Sequence, residues 1–155
     1  MLVLDVGCGN YPRGHVNLDL YPEKTLHRTS GSIINTKGIN FVKGSAEFLP
    51  FRNESFDIVF SDNIMEHLEN PILFLRECLR VAKSKVEVIV PHRYARNKLQ
   101  LFPAIGHRNF FNLQWFQKVL RGCAYFASVE LEPKPHMLFP LVFWVRNMKI
   151  TIYKE

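Results

Sequence analysis

Two carboxylates and two glycines stand near the start of this chain, in Asp5-Val6-Gly7-Cys8-Gly9-Asn10 and then at Asp19, ten positions after Gly9. Glycine at positions 7 and 9 lets a backbone turn tightly and pass close to a bound molecule with no side chain in the way. Acids on either side of the turn offer that molecule hydrogen-bond acceptors; the plainer reading of Asp19 is a surface acid at a strand end. The pattern is not the dinucleotide fingerprint, because Pro12 stands where the third glycine of G-x-G-x-x-G belongs. Two histidines are candidates for proton transfer: His107, in Gly106-His107-Arg108-Asn109, and His67, in Met65-Glu66-His67-Leu68. Imidazole can take a proton from an oxygen or nitrogen near neutral pH. A loop histidine bonded to backbone (His107, and equally His92) or a ring packed under a turn (His67) are the alternatives. Cys8, Cys78 and Cys123 are odd in number and widely spaced. Neither a disulfide framework nor a cysteine metal site is expected, and no metal is implied.

These residues need a scaffold, and the apolar pattern supplies one. A first strand covers 2–6 and delivers Asp5 to the glycine turn. A second covers 15–20 and a third 39–43, followed by Gly44-Ser45-Ala46-Glu47. Phe56-Asp57-Ile58-Val59-Phe60-Ser61 is apolar enough for a strand buried on both faces. Asp57 begins it, at the end away from the glycine turn, where a structural or surface role is expected. Ser61, Asp62 and Asn63 end it on the turn's side. A helix follows Pro71, with Ile72, Leu75, Leu79 and Ala82 as its apolar face. A fifth strand is 86–91. Asn112 caps a second helix with Leu113, Phe116, Val119 and Leu120 inward and Gly122 as its stop. Strands at 126–132 and 149–153 complete the series. Short strands alternating with helices predict an α/β fold: a doubly wound, mostly parallel, seven-stranded Rossmann-like sheet, covered on both faces, with an antiparallel last strand. Only residues 10–14, broken by Pro12, separate the first two strands, so the first helix is shortened to a loop.

The 155 residues read as a single domain, 1–155, large enough to bury a core unaided. No apolar run approaches a membrane span, and the first residues lack the basic segment of a signal peptide, so a cytoplasmic location and no membrane partner are expected. The net charge of +6 is localised. Between Glu87 and Glu130 there is no carboxylate, while Arg93, Arg96, Lys98, Arg108, Lys118 and Arg121 supply six cations. A basic 92–121 segment suits an acidic substrate or RNA; a solvated face is the usual alternative.

Asp5-Val6-Gly7-Cys8-Gly9 resembles the D-x-G-x-G signature of class I S-adenosylmethionine-dependent methyltransferases, most closely the type 11 branch. Asn17-Leu18-Asp19 resembles the acidic end of that family's second strand. Gly44 to Phe51 resembles the loop after the third, Ser55 to Ser61 with Met65 to Leu68 the fourth strand and its turn, and Arg76 to Ala82 the helix before the fifth. The resemblance covers about residues 1–91. It implies S-adenosylmethionine as cofactor, S-adenosylhomocysteine as product, and a cofactor site built from Asp5, Gly7, Cys8, Gly9, Asn10, Asp19, Leu20, Ser45, Ala46, Glu47, Ser61, Asp62 and Asn63. In it Asp19 holds both ribose hydroxyls, turn amides meet the methionyl carboxylate, and a carbonyl of the Ser61 region holds the amino group. Ser45 stands where many relatives carry an acid for the adenine amino group, with Glu47 as a substitute. The expected reaction is in-line methyl transfer to a small-molecule acceptor. The alternatives are RNA or protein methylation through 92–121, and a non-catalytic cofactor-binding module. The pocket is open, or covered by a partner chain or a second copy.

Overall fold

A computed structural model describes residues 1–23, 33–91, 107–121, 126–135 and 143–154. Among the described residues, seven strands form one sheet: β1 (Val3–Val6), β2 (Val16–Asp19), β3 (Phe41–Lys43), β4 (Phe56–Asp62), β5 (Ala82–Pro91), β6 (Phe126–Pro135) and β7 (Phe143–Tyr153). Their order is β3-β2-β1-β4-β5-β7-β6. The pairs from β3 to β5 are parallel, and β7 runs antiparallel between β5 and β6. The expected fold class holds. The order reverses between β1 and β4, and at such a switch point a crevice opens beyond the carboxyl ends of the strands.

Alternation places Leu4, Val6, Val59, Val86, Val88, Val90, Met148, Ile150 and Ile152 on one face, all fully buried. Helix α1 (Pro71–Val81) covers them with Phe74, Leu75, Cys78 and Leu79. Helix α2 (Leu113–Leu120) adds Phe116, and Phe111 and Trp115 stack beside it. The Phe110–Phe116 run is therefore mostly core, although Phe110 itself is half exposed. Both described helices lie against this same face. Among the described residues, no helix is long and apolar enough to cross a membrane.

Capping explains the helix starts. Asn112 accepts from the Trp115 amide at 2.9 Å, and Asn70 accepts from Leu73 at 3.0 Å ahead of Pro71. The apolar face of α1 differs from the expected one. Ile72 is exposed, and the buried stripe is shifted to Phe74 and Cys78. No loop follows the helix: Ala82 turns extended (φ −79°, ψ 143°) and begins β5 at once, four residues before the expected start. Strands β6 and β7 are longer than expected.

Candidate functional site

The turn after β1 is built by two left-handed glycines, Gly7 (φ +76°) and Gly9 (φ +51°). They differ in surroundings. A Cβ on Gly7 would lie 2.4 Å from the Ile64 side chain, so the turn packs directly on the segment after β4. Among the described residues, a Cβ on Gly9 would meet nothing within 4 Å, so they leave the turn open on that side. The amides do not point outward as expected. Gly7 and Cys8 both donate to the Leu18 carbonyl, at 2.7 and 3.1 Å, and Gly9 donates to Asp19 Oδ2 at 3.0 Å. These donors are satisfied by β2. Asn10 follows half-buried, and Cys8 is buried.

Asp5 and Asp19 therefore both have structural partners. Asp5 is buried and accepts from the Arg13 amide at 2.9 Å; burial pushes its carboxyl up to about 6. Asp19, half-buried at the end of β2, also accepts from the Tyr21 amide at 2.9 Å, while Leu20 beside it is exposed. The short 10–14 loop is held from beneath by buried Asn17, which accepts from the Gly14 amide at 2.9 Å and donates to its carbonyl at 3.0 Å.

The loop after β3 is tied down elsewhere. Ser45 Oγ accepts from the Glu47 amide at 3.2 Å, and Ala46 is buried. Glu47 accepts from the Asn70 amide at the start of α1, so one of its oxygens is committed to the helix end. Arg80 reaches across from α1 to the Leu49 and Phe51 carbonyls at 3.0 and 2.8 Å and to Glu77. Glu77 in turn accepts from the Leu49 amide at 2.8 Å, and its pairing with Arg80 holds its carboxyl below the usual range.

Near the carboxyl end of β4, Ser61 is fully buried, and its Oγ has no hydrogen-bond partner among the described residues. Asp62 pairs with Arg13 at 2.8 Å and accepts from Asn63 Nδ2 at 2.7 Å; Asn63 is left-handed at φ +53°. A single 3-10 turn, Met65–His67, follows. Its Glu66 is buried, and burial, aided by Asp62, lifts its carboxyl to about 7. The His67 and His107 rings meet edge to face at 4.9 Å. Burial and His67 both lower the His107 pKa. Asp57, at the opposite end of β4, accepts from the Leu2 amide and faces Lys83 at 3.6 Å, the structural role expected for it.

The fold thus gathers Gly7, Gly9, Asp19 and Ser61 at the carboxyl edge of β1, β2 and β4, and brings His67 against His107. His92, Arg93, Arg96 and Lys98 lie outside the described residues. Arg108 is paired with Glu69 at 2.7 Å. Sequence reasoning missed three groups: Arg13, the Glu77–Arg80 pair and Glu66. Of these, the i, i+3 spacing of Glu77 and Arg80 was the only local signal. A hollow of about 220 Å³, lined by Val3, Arg13, Ile58, Phe60 and Glu87, lies along the strands rather than at this edge.

The chain matches the model of the methyltransferase domain over residues 4–90. It is 29% identical over 120 residues to the uncharacterized methyltransferase YcgJ of Bacillus subtilis (strain 168), covering 69% of this chain and 46% of that protein. It is 28% identical over 102 residues to ajmaline N-methyltransferase of Rauvolfia serpentina, covering 57% of this chain and 34% of that protein. The chain spans less than half the length of these curated relatives. A methyltransferase structure from Thermotoga maritima superposes with a TM-score of 0.70 at 18% identity, over 99% of this chain and 82% of that one, and so shares its fold.

Proposed function

We infer that this chain, which belongs to the methyltransferase domain family, binds S-adenosylmethionine in the crevice at the carboxyl edge of β1, β2 and β4 and methylates a small-molecule acceptor. The observation that carries this is the Gly9 bend: left-handed, with no described residue where a side chain would stand, and directly bonded to the Asp19 carboxylate. Asp19 would hold the ribose hydroxyls, exchanging or sharing its amide bonds, because a carboxylate has acceptor sites for several donors. The Ser45–Glu47 loop, anchored through Arg80, would border the adenine. A backbone carbonyl of the Ser61–Asn63 stretch, at the same edge, would hold the methionyl amino group. Asp5 belongs to the cradle as the residue that fixes the loop through the Arg13 amide.

When bound, S-adenosylmethionine supplies a methyl group already activated on a sulfonium. The chain's own contribution is then positioning and exclusion of water. A small acceptor is supported by the similarity to ajmaline N-methyltransferase, a methyltransferase of a small molecule.

Calorimetry with S-adenosylmethionine, S-adenosylhomocysteine and NAD tests the reading. The two adenosyl-sulfur compounds should bind and NAD should not. Asp19→Ala should weaken binding at least tenfold, about 1.4 kcal/mol. Binding of NAD, or donor binding indifferent to Asp19, would overturn it. Salt-steep RNA binding that competes with a small acceptor would transfer the acceptor assignment to RNA.

A further inference from the structure

The Glu66–His67–His107 cluster has an organisation separate from the cofactor cradle. One ligand atom from each residue, a carboxylate oxygen and two imidazole nitrogens, lies within 4.8 Å of the other two. Glu66 is 1% exposed, and its Oε2 finds no hydrogen-bond partner among the described residues. Its other oxygen stands 3.9 Å from His67 Nε2, too far for a hydrogen bond. A buried carboxylate oxygen left without a donor is costly unless something else meets it.

The backbone holds the cluster together from two distant parts of the chain. The Arg108 and Asn109 amides both donate to the Glu66 carbonyl, at 2.8 and 3.0 Å. Asn109 Nδ2 donates to the Leu68 carbonyl at 2.7 Å, and Arg108 pairs with Glu69. These four interactions fasten the segment bearing His107 onto the turn bearing Glu66 and His67.

We propose that Glu66, His67 and His107 form a binding site for a first-row divalent transition ion, zinc foremost. Two imidazoles and one carboxylate are a donor set that zinc accepts, with a fourth position left for water or substrate. Magnesium and calcium favour shells of oxygen, which this set does not offer. Metal–ligand bonds of about 2 Å put tetrahedral donors about 3.3 Å apart, so side-chain rotations of about an ångström close the present spacing around an ion. The cluster follows Ile64, the residue packed on Gly7, so the ion would lie near the donor crevice. Its open position would take an oxygen of the acceptor; that role rests on the methyltransferase reading, whereas binding of the ion does not.

The test uses the full chain, stripped with a chelator and titrated with Co²⁺ under visible spectroscopy, then with Zn²⁺ by calorimetry. One equivalent of each should bind, Co²⁺ giving the ligand-field bands of a low-coordinate site. His107→Ala, His67→Ala and Glu66→Gln should each weaken binding at least tenfold, while exposed His15→Ala should not. Circular dichroism establishes that each variant is folded, and Glu66→Gln keeps the side-chain volume. Absence of stoichiometric binding, binding unchanged in His107→Ala, or equal loss in His15→Ala would overturn the proposal. Binding of S-adenosylmethionine to the stripped protein, measured in parallel, separates failure of the metal site from failure of the cofactor reading.

Discussion

The two glycines of the bend are required for different reasons, and substitution should separate them. Gly7→Ala meets both a left-handed φ and an Ile64 contact of 2.4 Å. Strain and overpacking together should cost about 2–4 kcal/mol in urea denaturation. Gly9→Ala carries only the backbone penalty, about 1–2 kcal/mol, but places a methyl group in the open space beside Asp19. It should leave the chain folded and weaken S-adenosylmethionine at least tenfold by calorimetry. Asp5 makes a second prediction. Its carboxyl titrates near 6, against 3.8 for the free group, so between those pH values the native chain holds a proton that the unfolded chain has released. Native stability contributed here is complete below about pH 4, falls as pH rises toward 6, and is flat above. Ionising Asp5 should cost about 3 kcal/mol. Asp5→Asn keeps an acceptor for the Arg13 amide and should erase this slope. The difference between variant and wild-type unfolding energies should therefore grow in the variant's favour from pH 4 to pH 6.5. A constant difference would contradict the assignment.

At the scale of elements, the loop after β3 owes its place to α1 rather than to its own sequence. Arg80 bridges two of its carbonyls and Glu77 takes its Leu49 amide. Arg80→Ala should cost about 1–2 kcal/mol, a partly exposed network being worth less than a buried one. It should also speed hydrogen exchange at Leu49 while leaving β1 and β4 protected, a contrast that exchange mass spectrometry reads directly. Such ties mark the boundary of what the sequence discloses. Strands β1 and β4 were legible because short, mostly apolar runs lead to Asp5 and Asp62, and β2 because Val16 and Leu18 lead to Asp19. The start of α2 was legible because Asn112 precedes an apolar period. The shift of the α1 stripe from Ile72 to Phe74 was not, since apolar residues at 72, 73, 74 and 75 leave the phase to tertiary packing. The inward turn amides were not legible either. They depend on how the turn lies against β2, whose Leu18 carbonyl and Asp19 carboxylate accept from them. The pairing of Glu66 with the His107 segment joins positions that no local pattern relates.

At the scale of the whole molecule, the candidate site is a seam where the carboxyl ends of paired strands meet the loops that follow them. Asp19 joins β2 to the Gly9 bend, Gly7 joins that bend to the segment after β4, and Glu47 joins the β3 loop to α1. A ligand seated in the seam would bind only the assembled form and so stabilise the entire fold by mass action. At a hundred times its dissociation constant, S-adenosylmethionine should add about 2.7 kcal/mol, which for a chain of this size raises the melting temperature by roughly 5–10 °C. NAD at equal concentration should add nothing. Asp19 needs two variants, because its carboxylate also anchors the Gly9 and Tyr21 amides. Asp19→Ala should lower the melting temperature of the free chain as well as abolish the donor-induced rise. Asp19→Asn retains one acceptor oxygen, so it should melt closer to wild type yet gain little from the donor, because its amide offers one acceptor oxygen where the carboxylate would offer two to the ribose hydroxyls. A full thermal rise in Asp19→Asn would mean that the sugar is held elsewhere, and that the carboxylate serves only to close the bend.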